Sequence, residues 1–223
     1  MVDQERISLI VMLTHLKEHT KVKCHQYWPS QVWENESVQG IAFDSDKEVL
    51  LVSVESLMPN LIKRRLQLTR KDVNGQIVDS RIVTQLQYLT WPDFGAPEEQ
   101  DYKIIRTIIE HLRLHHWGKR GRENLLDAEQ LANIPTDNKI VLHCSAGIGR
   151  TGTLTAIYNL QQIVLTMHEH IQRTRDPFAK QPRLSVFGVV RRLREQRYYM
   201  VQSQSQYEFI YTYMNHWIQS LGL

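Results

Sequence analysis

Lys139-Ile140-Val141-Leu142-His143-Cys144-Ser145-Ala146-Gly147-Ile148-Gly149-Arg150-Thr151-Gly152 changes character twice within a few residues. Its start is apolar and β-branched, which reads as a buried strand. Gly147 and Gly149 then interrupt the run, and a helix is expected from about Arg150 to His170. The order is strand, Cys-x5-Arg, helix, and each part has a physical task. Ser145, Ala146, Gly147, Ile148 and Gly149 can curl so that backbone N–H groups point inward, with Gly147 and Gly149 supplying φ > 0. The helix that follows adds the positive end of its dipole. Together they form a nest for a dianion. Arg150 offers a planar fork to two phosphoryl oxygens. The same field favours Cys144 as a thiolate, the nucleophilic form. The Thr151 hydroxyl is placed to bond the Cys144 sulfur, and His143 to order the loop backbone. A cysteine after an apolar strand is more often a small core residue. The whole string in a strand-to-helix setting argues against that.

Working outward, Ile7 to Leu13 reads as another buried strand, and Cys24 to Trp28 as strand or loop. Ile41 to Phe43, Val49 to Val54 and Leu61 to Leu68 read as antiparallel strands, with a hairpin at Asn74-Gly75. Lys63-Arg64-Arg65 reads as a strand edge protected by charge. Pro97-Glu98-Glu99 opens a helix with Ile104, Ile105, Ile108, Ile109 and Leu112 on one face. Lys119 to Asn138 is polar and reads as a surface connection, and Arg173 to Arg183 as a loop. Two more helices are expected over Leu184 to Arg197 and Ser203 to Trp217. Arg191, Arg192, Arg194 and Arg197 fall on the first of these and read as a solvated face. The fold class is α/β (α+β): a central twisted mixed sheet flanked by helices, in one domain spanning 1–223.

The chain has 223 residues and a formal net charge of +3, too small to point to nucleic acid. No run approaches the roughly 18 apolar residues that span a bilayer. Its two cysteines, Cys24 and Cys144, form no disulfide framework. A reducing, cytoplasmic setting fits, as does the cytosolic portion of a larger, membrane-anchored protein. His115-His116 and His168-x-His170 lack a second ligand cluster, so neither metal nor other cofactor is expected.

The string His143 to Gly152 resembles the signature of the classical, phosphotyrosine-specific protein tyrosine phosphatases. Ile10-Val11-Met12-Leu13-Thr14, Lys23-Cys24-His25-Gln26-Tyr27-Trp28-Pro29, Trp91-Pro92-Asp93-Phe94-Gly95-Ala96-Pro97 and Val201-Gln202 to Gln206-Tyr207 are similar to family segments in the family's order. The resemblance implies that Trp91-Pro92-Asp93 lies on a loop that closes over substrate, with Asp93 the general acid. It implies that Gln202 orients the attacking water and that Gln206 contacts substrate or water. It also implies that Glu18 pairs with Arg150 and that Lys23 steadies the Asp93 loop. The expected reaction is hydrolysis of phosphotyrosine in proteins through a phosphocysteine. Two alternatives are an inactive phosphatase-like module that binds phosphotyrosine, and a broader-specificity phosphatase, which the non-basic Ile148 disfavours for inositol head groups. The family's Lys-Asn-Arg-Tyr recognition pattern occurs nowhere here, so the chain reads as beginning inside the family domain, with an open pocket and weaker selectivity expected.

Overall fold

The computed structural model describes residues 1–34, 40–44, 46–117, 139–174 and 184–222. They group into two compact units. The first is Met1–Thr90 with Lys103–Ser145, and the second is Trp91–Tyr102 with Ala146–Leu223.

The first unit is built on a mixed sheet. Its strands are β1 (Leu9–Met12), β4 (Ile41–Asp44), β5 (Lys47–Met58), β6 (Leu61–Lys71), β7 (Ile77–Tyr88) and β8 (Ile140–His143), in the order β4-β5-β6-β7-β1-β8. A separate two-stranded ribbon pairs β2 (Lys17–Glu18) with β3 (Lys21–Val22). β5, β6 and β7 form an antiparallel meander. The expected Asn74-Gly75 hairpin joins β6 to β7. Gly75 takes φ 79°, and Asp72 Oδ1 accepts from the backbone N–H of Asn74 and Gln76 at 2.8 and 2.9 Å. β1 is parallel to both its neighbours, β7 and β8, and every one of its residues is buried. Ile10, Met12, Trp28, Leu51, Leu66 and Val83 share one core cluster. Each such fully buried side chain stabilises by about 1.5–3 kcal/mol.

Two expectations change here. The sequence suggests a buried β8, yet its residues are only half-covered, because among the described residues it pairs with β1 alone. Lys63-Arg64-Arg65 is not an edge: β6 lies between β5 and β7. Its charge is instead accommodated individually, with the Arg64 guanidinium 4.5 Å over the Trp28 ring. Cys24 to Trp28 is irregular rather than strand. Helix α1 (Tyr102–Trp117) buries the predicted stripe of Ile104, Ile105, Ile108, Ile109 and Leu112. The surface connection read over Lys119 to Asn138 lies outside the described residues.

The second unit holds helices α2 (Gly149–Thr174), α3 (Val186–Gln196) and α4 (Gln204–Ser220), with α2 packed on both others. α2 runs past its predicted end into the segment read as a loop, and the rest of that segment, 175–183, lies outside the described residues. Leu154, Ala156, Ile157 and Leu160 of α2, and Phe209, Ile210, Tyr213 and Met214 of α4, are buried. Among the described residues no helix is long and apolar enough to cross a membrane.

Candidate active site

The connection from β8 to α2 begins at Cys144, which is 7% exposed. Leu13 N–H donates to the His143 carbonyl at 2.8 Å, so the β1–β8 pairing holds the strand to its last residue. The His143 ring bridges Tyr27 OH, 2.8 Å from Nε2, and the Cys144 carbonyl, 3.0 Å from Nδ1. The ring is thus tied to the backbone of the candidate nucleophile, a geometry that suits an ordering role. Burial pushes its pKa below the usual histidine value, against the carbonyl bond. In the same unit Glu18 accepts from Thr14 Oγ1 at 2.8 Å and lies 3.8 Å from Lys23 Nζ. Both side chains are mostly covered, so neither is a solvated surface charge. Cys24 donates to the His25 carbonyl, and burial pushes its thiol up.

The second unit carries the rest of the motif. Of the two glycines expected to have φ > 0, only Gly147 does, at 70°. Gly149 instead lies in close approach: a Cβ there would crowd the Gln206 amide at 3.1 Å and Gln202 Oε1 at 3.3 Å. Gly152 is tighter still, because its Cβ would fall 2.4 Å from Val201 N. Val201 N–H donates to the Ile148 carbonyl at 3.1 Å, which ties the loop to the turn before α4. Arg197 Nη2 donates to the Ala146 carbonyl at 3.2 Å. The arginines read as one solvated face therefore divide. Arg191 pairs with Glu195, Arg197 braces the loop, and Arg194 donates to the Met200 and Val201 carbonyls. These bonds reach a turn with Tyr199 and Val201 at positive φ, which no local pattern in the sequence signals.

Arg150 is 2% exposed, and its Nη2 lies 2.9 Å from Asp93 Oδ1. The expected phosphate fork and the expected acid thus meet in one ion pair. Asp93 sits in a turn closed by Gly95 N–H on the Pro92 carbonyl at 3.2 Å. Trp91 is buried, packs against Phe209, and donates from Nε1 to the Gly95 carbonyl at 3.1 Å. The exposed Phe94, at φ 56°, offers its carbonyl to the hydroxyls of Ser203 and Ser205 at 2.6 and 2.9 Å. The hold of these two serines on the Asp93 loop emerges from the structure alone. Thr151 Oγ1 is buried with no hydrogen-bond partner among the described residues. Gln206 is 1% exposed, and its Oε1 accepts from the N–H groups of Gln202 and Ser203. With Ser203 it forms a capping box on α4, so that oxygen is committed to backbone. The pattern Ser203-x-x-Gln206 is the sequence signal for it. Gln202 is exposed, with its amide oxygen beside Gly149.

Residues 1–216 match the family model for protein-tyrosine phosphatase. The chain belongs to the protein-tyrosine phosphatase family. It is 33% identical over 214 residues to tyrosine-protein phosphatase 69D of Drosophila melanogaster, covering 95% of this chain and 12% of that protein. It is 31% identical to the human receptor-type tyrosine-protein phosphatase epsilon, covering 95% of this chain and 24% of that protein. The catalytic domain of human protein tyrosine phosphatase non-receptor type 18 superposes with a TM-score of 0.69 at 26% identity, covering 97% of this chain and 62% of that one. A second structure, of PTPN18 in complex with HER2-pY1196 phosphor-peptides, gives 0.69 at 26% identity, covering 95% of this chain and 58% of that one. The mixed sheet and helices are those of a phosphatase catalytic domain, in the α+β class. The chain spans less than two thirds of the length of these relatives.

Proposed function

We propose that this chain is a cysteine-dependent protein tyrosine phosphatase acting on phosphotyrosine-containing proteins. The observation that carries the reading is the buried Arg150 guanidinium, at the start of the helix that follows Cys144, paired at 2.9 Å with Asp93. A buried fork at a helix N-terminus suits a phosphoryl dianion, and a carboxylate that the dianion displaces from that fork is free to take up a proton and act as the acid. Phosphoryl oxygens compete with Asp93 for the guanidinium, so substrate binding releases the carboxylate, which takes up a proton from solvent or from the phosphate monoanion and then serves as donor to the leaving oxygen.

In the first step the Cys144 thiolate attacks phosphorus. The bond to the tyrosine oxygen breaks, and that oxygen takes the Asp93 proton. The amides of Ser145, Ala146, Gly147, Ile148 and Gly149 and the Arg150 fork hold the phosphoryl oxygens. In the second step a water placed by Gln202 attacks phosphorus and gives its proton to the Asp93 carboxylate. The S–P bond breaks, and the buried Thr151 hydroxyl donates to the departing sulfur. Glu18, Lys23, His143 and Trp91 are proposed as supporting residues, and Gln206 holds the backbone of Gln202. Cys24 and Cys144 form no disulfide, which suits a reducing cytosol, the compartment proposed for the reaction.

The test is phosphate release from a phosphotyrosine peptide, with wild type measured beside Cys144→Ser. Turnover by wild type and none by the variant is expected, because a serine hydroxyl stays protonated where a thiol ionises. Equal release by both would end the covalent mechanism.

A further inference from the structure

Two glutamines occupy a central strand at positions where apolar residues are the rule. Gln85 is 0% and Gln87 3% exposed. Burying an amide is costly unless its polar atoms are bonded. Here they are, and the bonds lead to the candidate nucleophile. Arg64 Nη1 donates to Gln85 Oε1 at 3.0 Å and to Gln87 Oε1 at 2.9 Å. Gln87 Nε2 donates to the Thr14 carbonyl at 3.0 Å. Gln85 Nε2 donates to Tyr27 OH at 2.9 Å. Tyr27 OH is 2.8 Å from His143 Nε2, and His143 Nδ1 is 3.0 Å from the Cys144 carbonyl. Every member of this chain of bonds lies within the first unit.

The direction of each bond follows from the first. A guanidinium only donates, so it turns both amide oxygens toward itself. That leaves Gln85 Nε2 as donor to Tyr27. The Tyr27 oxygen is then an acceptor from Gln85, and its own proton must go elsewhere. The alternative acceptor, Met12 Sδ at 3.9 Å, is weak, so the proton goes to His143 Nε2. An Nε2 that accepts leaves the ring hydrogen on Nδ1, facing the Cys144 carbonyl. We propose that Arg64, acting through Gln85, Tyr27 and His143, is a positioning residue for Cys144. It sets His143 as the neutral Nδ1–H tautomer and so keeps a hydrogen-bond donor on the Cys144 carbonyl. The donor draws negative charge from that carbonyl and leaves the local field more favourable to a thiolate. Burial acts in the same sense: it holds His143 neutral and Tyr27 as the phenol.

The proposal rests on Cys144 being the phosphatase nucleophile, but its test needs no substrate. Gln85→Glu preserves shape and the bond from Arg64 while turning the donor into an acceptor. Tyr27 then donates to the introduced carboxylate and accepts from His143, which carries its proton on Nε2. Imidazole ¹⁵N NMR should show Nδ1–H in wild type and neutral Nε2–H in the variant, and an imidazolium, which keeps the Nδ1 donor, would overturn the proposal. The pH midpoint of Cys144 alkylation, followed on its own peptide by mass spectrometry, should rise by about half a unit to one unit. Arg64→Met should give a mixture of tautomers and a shift of the same sign. If Gln85→Glu does not fold, Arg64→Lys, which retains charge without the fork, is read the same way. A wild-type His143 protonated on Nε2 overturns the proposal. So does a folded variant with an unchanged tautomer and an unmoved midpoint. If wild type releases no phosphate while the tautomer still switches, the phosphatase reading fails and the relay stands.

Discussion

Gly152 and Gly75 are both glycines for reasons of backbone, yet the reasons differ and so do the expected costs. At Gly152 a Cβ would lie 2.4 Å from Val201 N, where only backbone movement makes room. Gly152→Ala should destabilise by about 1–3 kcal/mol in urea unfolding and should also lower activity, because the turn it displaces carries Gln202. At Gly75 nothing lies within 4 Å, but φ is 79°. Gly75→Ala should cost about 1 kcal/mol and leave turnover unchanged. Equal losses of activity in the two variants would contradict the coupling of Gly152 to the site. Asp93 is a separate matter of chemistry. Asp93→Ala should lower kcat on a tyrosine phosphate by roughly 10²–10⁴-fold, the range of general acid catalysis, while the variant still binds the peptide. An unchanged kcat would remove Asp93 from the role of acid.

At the scale of the element, the N-terminus of α4 has two functions that one substitution can separate. Ser203 Oγ accepts from Gln206 N–H at 3.2 Å and donates to the Phe94 carbonyl at 2.6 Å. The first bond caps the helix, and the second holds the loop that carries Asp93. Ser203→Ala should lower stability by about 1 kcal/mol and lower kcat as well. Ser203→Asp replaces the cap acceptor but cannot donate to a carbonyl. It should regain most of the thermal stability and little of the activity. Recovery of both would show that the Phe94 bond does not matter for turnover.

For the molecule as a whole, partly buried histidines make acid stability a sensitive measure. Burial, with Lys63 nearby, pulls His111 down to about 4 against the opposing pull of Glu55, and burial lowers His143 too. The unfolded chain, with ordinary histidines near 6.5, therefore binds more protons than the native one between that value and about 4. Stability should be fully present above about pH 6.5 and should fall as pH drops toward 4. Thermal melts across that range should show the decline, and His111→Gln should flatten it. A native state equally stable at pH 7 and 4.5 would mean that His111 is not held neutral.

The parts legible in the sequence are those set by short-range physics. Cys144, Gly147 and Arg150 stand out because a strand end, a φ > 0 position and a helix start each act within a few residues. Asn74-Gly75 marks its hairpin for the same reason, and the Ile104 to Leu112 stripe its helix face. What cannot be read depends on which distant segments become neighbours. Lys63-Arg64-Arg65 looks like a protected edge until hydrogen bonding places β6 between β5 and β7. Then Arg64 is an interior donor, with Trp28 beneath it and two amides to orient. Gln85 and Gln87 carry no signal at all, since a polar residue in a strand has no meaning until its partners are known. Gly149 draws notice in the sequence for a conformation it does not adopt, because close approach by Gln202 and Gln206 is a property of packing. Side-chain type and local order thus named the chemistry. Long-range pairing, which the chain gains only by burying its core, set the donors and acceptors around it.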